Sequence, residues 1–194
     1  MRAIVCHELT GPEGLRLEER PPPHPGPQQV LLRVHACGVN FADSLITRGE
    51  YQRQPPLPFI PGFEVAGEVI GLGPEVSGFA VGDRVIAVTS HGGYAEQVAV
   101  DAGRCVPMPA SMCWTDGAAF PIVYPTSYVG LVLRGQLRAG EWLLVHAAAG
   151  GVGLAAVQIG RALGARVIAT AGGADKLEVA RTAGLSHGLV LFHF

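Results

Sequence analysis

The chain has 194 residues, 48% of them apolar and 15% charged, with a formal net charge of −2. That apolar share rules out intrinsic disorder. The balanced charge, without a basic cluster, excludes nucleic acid as an expected partner, and no apolar run reaches membrane-spanning length. The 27 glycines and 15 prolines therefore read as turns in a strand-rich region. Met1–Cys6 meets His7 and Glu8 too soon to form a signal-peptide core. Cys6, Cys37, Cys105 and Cys113 are scattered without a C-x-x-C pair and read as reduced, mostly buried thiols. A soluble cytoplasmic protein is expected.

From Met1 to about Val106 the pattern is strands and turns. Arg2–Cys6 and Leu15–Glu19 read as short strands around Thr10-Gly11-Pro12-Glu13-Gly14. Pro21 to Pro27 holds five prolines and must be an extended connector, since proline blocks both a helix and a central ladder. Val30–Ala36 reads as a strand. Asn40 can cap a short helix through Ile46, ended by Gly49. Glu64–Gly71, Asp83–Val88 and Tyr94–Val100 continue the strand pattern, and several short strands with frequent turns suggest a small barrel. A more helical region follows. Thr115-Asp116 opens one helix, Pro121 interrupts it, and Pro125-Thr126-Ser127 begins another through Leu137.

The stretch from Gly140 to Arg161 organises the second half. Trp142–Val145 is an apolar run of strand length, Ala147 to Gly151 are all small, and Gly153 opens a segment with Leu154, Val157 and Leu163 at helical spacing. Strand, small-residue turn and helix form the context that a dinucleotide fingerprint requires, because a pyrophosphate needs backbone N–H donors at close range. The series is Ala148, Gly150, Gly153 rather than three glycines, so the turn must avoid a positive φ at Ala148. Gly150 lets the backbone approach the phosphate, and Gly153 lets the helix pack on the strand. Gly164 can end the helix, Ala165–Thr170 reads as a second parallel strand, and Asp175–Ala183 as a second helix ending at Gly184 with Asp175 as its N-cap. The apolar tail from Leu185 to Phe194 can supply part of a third strand beyond the second.

These residues carry a family resemblance. Gly140, Glu141, Leu144, Ala148, Ala149, Gly150, Gly151, Gly153, Gln158 and Arg161 fit a signature at its spacing. Ala36–Asp43, Pro61–Gly67 and Val81–Val85 fit motifs of the same family's first domain. The chain resembles the zinc-independent medium-chain dehydrogenases/reductases, in the quinone oxidoreductase (zeta-crystallin-like) branch. The resemblance implies a fold of class α/β plus β. A GroES-like barrel, residues 1–124, would be followed by an incomplete Rossmann domain, residues 125–194. It implies NADPH as cofactor, a quinone or other α,β-unsaturated carbonyl as substrate, and a homodimer for full-length members. Where zinc-dependent relatives carry a catalytic cysteine after the Cys-Gly segment, this chain has Asn40. Where they carry His in a Gly-His-Glu motif, it has Phe63, which cannot ligate a metal. No metal is expected.

The resemblance also places site residues. Asn40 would face the cleft near the nicotinamide or substrate, with helix capping as its simpler role. Tyr51 would lie at the same cleft, where its phenol can donate a hydrogen bond to the acceptor oxygen; the alternative is a loop aromatic packed on Pro55 and Pro56. Thr126 would contact the cofactor, or serve as an ordinary helix-start hydroxyl. Ala148, Gly150, Gly151, Val152 and Gly153 make the phosphate turn. After the second strand come Ala171, Gly172 and Gly173, with no carboxylate to hold a ribose 2′-OH. Lys176 stands where the family's phosphate-binding lysine falls, so NADPH is expected over NADH, unless Lys176 is a solvated helix lysine. A non-catalytic nucleotide-binding or structural protein and an enoyl-thioester reductase are the alternative functions. A doubly wound domain needs about six parallel strands, more than the residues after Glu141 can supply. The chain is therefore expected to be a truncated product with weak or no turnover and a tendency to aggregate or to need a partner chain.

Overall fold

The computed structural model describes residues 1–182 and 190–192. The chain divides into two compact units, Met1–Pro121 and Ile122–Phe194.

In the first unit, β1 (Arg2–Cys6) and β2 (Leu15–Glu19) form an antiparallel pair with Arg2 opposite Glu19 and Cys6 opposite Leu15. Then come β3 (Gln29–Cys37), α1 (Phe41–Thr47), β4 (Glu64–Leu72), β5 (Arg84–Val88), β6 (Gln97–Asp101), β7 (Cys105–Pro107) and α2 (Trp114–Ala118). The five strands β3–β7 form one antiparallel sheet in the order β6-β3-β4-β5-β7. Alternation sets its buried face: Val30 and Leu32 of β3 meet Val65, Val69, Val85, Val98 and Val100 in one core. Burying each such side chain contributes about 1.5–3 kcal/mol, so this cluster is the main support of the unit.

The expected barrel is not formed: among the described residues no sheet closes on itself. β6 and β7 remain the edges of an open sheet. β1 forms no extended ladder with that sheet: it meets the segment before β6 through the Ala3–Ala95 bridge and the hydrogen bonds around it, and Phe59 through the Cys6 bridge. Closure needs a continuous ladder from edge to edge with a fixed stagger. Here β7 is three residues long and ends at Pro107, which lacks an N–H to extend it. Short strands and frequent turns specify hairpins; they do not specify whether the outer edges meet.

The second unit opens with α3 (Val123–Tyr128), which starts two residues before Pro125. Proline sits at the third helical position, where its missing N–H has no intrahelical partner to lose. The helix expected through Leu137 instead widens over Val129–Arg134, and the Gly135 N–H reaches back five residues to Gly130 O at 2.8 Å. β8 (Trp142–Val145), α4 (Gly151–Ala162), β9 (Arg166–Ala171), α5 (Ala174–Thr182) and β10 (Val190–Phe192) follow. The three strands are parallel, in the order β10-β9-β8. Gly164, at φ 78, closes the end of α4 in the left-handed region that glycine adopts freely. Asp175 is not the cap of α5. It lies in the first turn, and Gly173 O accepts the Leu177 N–H at 3.0 Å. The expected end of that helix at Ala183 and Gly184 lies outside the described residues. Among those residues, no helix is long and apolar enough to cross a membrane.

Candidate nucleotide and acceptor sites

The turn between β8 and α4 is held at both ends. Ala147 O accepts the Gly150 N–H at 2.9 Å, and the buried Ala148 donates its N–H to Thr170 O on β9 at 3.0 Å. The left-handed residue is Ala147, at φ 50, and not Ala148. The turn therefore makes its sharp bend one residue earlier, at a methyl side chain that tolerates αL at modest cost. Gly153 has no room for a side chain: a Cβ there would lie 2.5 Å from Ala147 O and 2.8 Å from Ala148 Cα. A Cβ on Gly151 would meet Val123 Cγ1 at 2.9 Å, so that glycine lets α3 and α4 approach.

Gly150 is different. Its backbone sits at φ −79 and ψ 160, open to any residue, and a Cβ would meet only Ala147 O at 3.4 Å. Nothing in the protein demands glycine there, and the space beside it is free for a ligand. The N–H groups of Gly151, Val152 and Gly153 open α4 with no carbonyl ahead of them in the helix, and the positive end of the helix dipole adds to them. The residues present fit a pyrophosphate.

Around the turn, Ser127 Oγ donates to Val152 O at 2.8 Å, fastening α3 to the start of α4, and the Tyr124 hydroxyl donates to Gln158 Oε1. Thr126 is exposed on α3, and its Oγ1 donates to Ile122 O at 2.6 Å, leaving oxygen lone pairs as acceptors. Lys176 is exposed in the first turn of α5. Before it stand Gly172 and Gly173, beside which a Cβ would have no neighbour within 4 Å. Turn and lysine both follow the carboxyl ends of parallel strands, where open α/β sheets take ligands. His146, which shows no partner in the sequence, holds Thr170 Oγ1 through Nδ1 at 2.9 Å across β8 and β9. That contact spans 24 residues, and no spacing rule reveals it.

The first unit gathers a buried polar cluster where β3, α1, β4 and the loop before β6 converge. Asn40 precedes α1 as its N-cap. Its backbone N–H donates to Asp43 Oδ2 at 2.8 Å, and its Nδ2 donates to Glu64 Oε1 at 2.8 Å. Asp43 and Glu64 are only 4% and 2% exposed. Asp43 Oδ1 accepts the Gly62 N–H at 3.0 Å. Burial raises the Asp43 carboxyl above its usual range, and the two backbone donors pull against that rise. Burial also pushes the Cys37 thiol up to about 12, with the Asp43 and Glu64 charges adding to it, so this thiol is not a nucleophile near neutral pH. Tyr94 Oη is buried and faces the Asp43 carboxyl without the geometry of a full hydrogen bond; burial and the Asp43 charge hold its phenol well above the ordinary value. From the sequence, Cys37 reads as one of the buried thiols and Asp43 and Glu64 lie within family motifs, but neither acid nor Tyr94 is given a role and the four are not brought together.

Tyr51 packs its ring on Phe63, centroids 5.3 Å apart and planes tilted by 50°, beside Cys6, Ile46 and Phe59. The aromatic at position 63 therefore has a packing role in place of ligation. Among the described residues, no group of three or more His, Cys, Asp and Glu side chains is gathered to hold a metal ion. His35 instead stacks on Trp114 with centroids 4.3 Å apart.

Residues 26–110 match the alcohol dehydrogenase GroES-like domain. Over 189 residues the chain is 41% identical to quinone oxidoreductase-like protein 2 of Rattus norvegicus, covering 97% of this chain and 53% of that protein. Among solved structures it is similar to the quinone oxidoreductase of Thermus thermophilus, known also in complex with NADPH, at TM-score 0.85 and 41% identity, covering 98% of this chain and 60% of that one. It is similar too to Escherichia coli quinone oxidoreductase complexed with NADPH, at TM-score 0.92 and 35% identity, covering 98% of this chain and 58% of that one. The chain spans about half the length of the curated relatives it matches. A GroES-like domain followed by a parallel strand–turn–helix unit is the make-up of medium-chain dehydrogenases/reductases. Within that class the chain belongs to the zinc-independent quinone oxidoreductase, zeta-crystallin-like branch.

Proposed function

We propose that this chain binds NADPH and serves the reduction of quinones or other α,β-unsaturated carbonyls. The observation that carries the reading is the turn at Ala147–Gly153. Gly153 is glycine because the protein leaves no room, whereas Gly150 is glycine beside open space at a helix N-terminus. NADPH, when bound, supplies the hydride. The N–H groups of Gly151, Val152 and Gly153 would hold the pyrophosphate, with Ala148 and Gly150 keeping side chains out of its way. Ala171, Gly172 and Gly173 place no carboxylate at the end of β9, and the Lys176 ammonium would pair with a ribose 2′-phosphate there, against the opposing charge of Asp175, which is exposed in the first turn of α5 beside it. Thr126 Oγ1 would orient the cofactor as an acceptor.

In the first unit, Asn40 and Tyr51 would offer N–H and O–H donors to the acceptor oxygen as it gains negative charge, the work a Lewis acid would otherwise do. Asp43 and Glu64 hold Asn40 from within. Calorimetric titration of the chain with NADPH, followed by NADPH oxidation in the presence of a small p-quinone, tests the reading. Micromolar binding and weak quinone-dependent oxidation are expected. A chain that unfolds cooperatively yet takes up no NADPH would overturn it.

A further inference from the structure

We propose that Glu64 is the positioning residue for Asn40: its buried carboxylate fixes which atom of the Asn40 amide turns inward and so leaves an N–H, held in place, for the acceptor. The proposal rests on the reading of Asn40 as part of the acceptor site. A terminal amide has two orientations of nearly equal shape, one presenting its NH2 and the other its C=O. An ionised carboxylate accepts hydrogen bonds only, so a carboxylate partner selects the NH2. Nδ2 of Asn40 lies 2.8 Å from Glu64 Oε1. One Nδ2–H is thereby occupied, and the second remains on the half-buried side chain.

Several features of the fold serve this contact. Gly38 leaves the space, since a Cβ at that position would collide with the Glu64 carboxylate. The Gly38 N–H donates to Glu64 O at 3.1 Å, fixing the backbone on either side of the gap. Asp43 Oδ2 holds the Asn40 backbone N–H at 2.8 Å, so main chain and side chain of Asn40 are anchored by separate carboxylates. A helix cap needs no second buried acid. Burying a carboxylate costs free energy unless donors are aimed at it. The cost is explained if a preorganised donor is what the site requires, because a donor already in place loses nothing to reorganisation when charge develops.

The test uses the 15N-labelled chain. The Asn40 side-chain amide pair is assigned by its loss in Asn40→Asp. In the wild-type chain one of its two protons should be shifted downfield and protected from exchange, and Glu64→Gln, which offers one uncharged acceptor in place of two charged oxygens, should weaken both signs. A pair that resembles an exposed asparagine, or is indifferent to Glu64→Gln, overturns the proposal whatever the turnover. Addition of duroquinone should move the pair in the wild type and not in Glu64→Gln. In quinone reduction, Glu64→Gln should lower kcat about tenfold, the loss of charge assistance on the hydrogen bond to Asn40. KM and NADPH affinity should be unchanged, Glu64→Ala should fall further, and neither change should add to Asn40→Ala. An unaltered kcat in Glu64→Gln makes Glu64 a purely structural acid and sinks the proposal. If the amide signature is intact but Asn40→Ala keeps full turnover and duroquinone leaves the pair unmoved, the fault lies in the reading of Asn40 as an acceptor residue.

Discussion

The turn at Ala147–Gly153 and the cluster around Asn40 solve the same chemical problem from opposite sides. Both present N–H groups to oxygen acceptors, the turn by leaving them open and the cluster by using them. The distinguishing feature of the turn is room: small side chains, N–H groups at the start of α4 and open space beside Gly150, which the proposed function gives to an anion from outside. The Asn40 cluster holds anions that belong to the chain, Asp43 and Glu64, and surrounds them with backbone and amide donors. A site built by omission can be altered at its open side without cost to the fold. A site built on buried charge has no such side, and each change there touches stability.

Two glycines three residues apart put that contrast to its hardest trial. Gly153→Val forces a branched side chain against Ala147 O and Ala148 Cα, backbone atoms that cannot rotate away. The second unit should lose about 3 kcal/mol or more, at the upper end for overpacking. Urea unfolding followed by Trp142 fluorescence in a Trp114→Phe background reads that unit separately. Gly150→Val should leave the same midpoint within about 0.5 kcal/mol, as for substitutions away from packed positions. It should nevertheless weaken NADPH binding about a hundredfold, or about 2.7 kcal/mol, by filling the phosphate's approach. Equal destabilisation by the two variants would dissolve the distinction between a packing glycine and a ligand glycine.

The same contrast explains what could be read before the structure was known. The turn was legible because size and spacing encode it: Trp142–Val145 is a strand, the small residues follow, and Gly153 packs as its position demands. Gly160 escaped notice, although a Cβ there would lie 2.5 Å from Leu143 Cδ2. Its spacing of two helical turns from Gly153 was a usable signal. The buried cluster was not legible. Cys37 and Asp43 share one segment, but Glu64 and Tyr94 come from two others, and charged residues ordinarily belong on surfaces. Only the fold brings them together. Barrel closure failed for a related reason, since strand patterns report local alternation and closure depends on the distant edges β6 and β7.

Asp43→Asn probes the buried-charge side of the comparison. The carboxylate accepts from the Asn40 and Gly62 N–H groups, whereas an amide offers only one acceptor atom to those two donors. The first unit should lose about 2 kcal/mol, the cost of an unsatisfied buried group. The pH dependence has a definite sign. Because burial raises the Asp43 pKa, the folded chain holds this proton more tightly than the unfolded chain does. The wild-type contribution is therefore fully present below the unfolded value of 3.8 and falls as pH rises through the raised folded value. Asp43→Asn lacks that slope, so the stability difference between the two proteins should narrow as pH rises from about 3.8 into the raised range. Thermal unfolding across that range measures it, and a difference that widens would show that hydrogen bonding, not burial, governs Asp43.

The smallest effect is expected at Lys176, and it separates an open site from an open site with a preference. Lys176 is exposed on α5, and among the described residues it has no ion-pair partner. Removing it should cost the fold nothing measurable, as for any solvated helix lysine. Its value would lie in charge alone. A ribose 2′-phosphate at the end of β9 would meet no carboxylate among Ala171, Gly172 and Gly173, and the Lys176 ammonium is the cation that follows them. Because water screens so exposed a pair, its worth is about 1 kcal/mol, at the top of the range for surface ion pairs. Lys176→Ala should then weaken NADPH about fivefold and leave NADH unchanged, with the NADPH loss shrinking at high salt. Titration of both nucleotides at low and high ionic strength decides it. Equal losses for the two would place Lys176 on the pyrophosphate or on the fold. No loss for either would mean that NADPH is chosen by the missing carboxylate alone, and that the open end of β9 discriminates by what it leaves out.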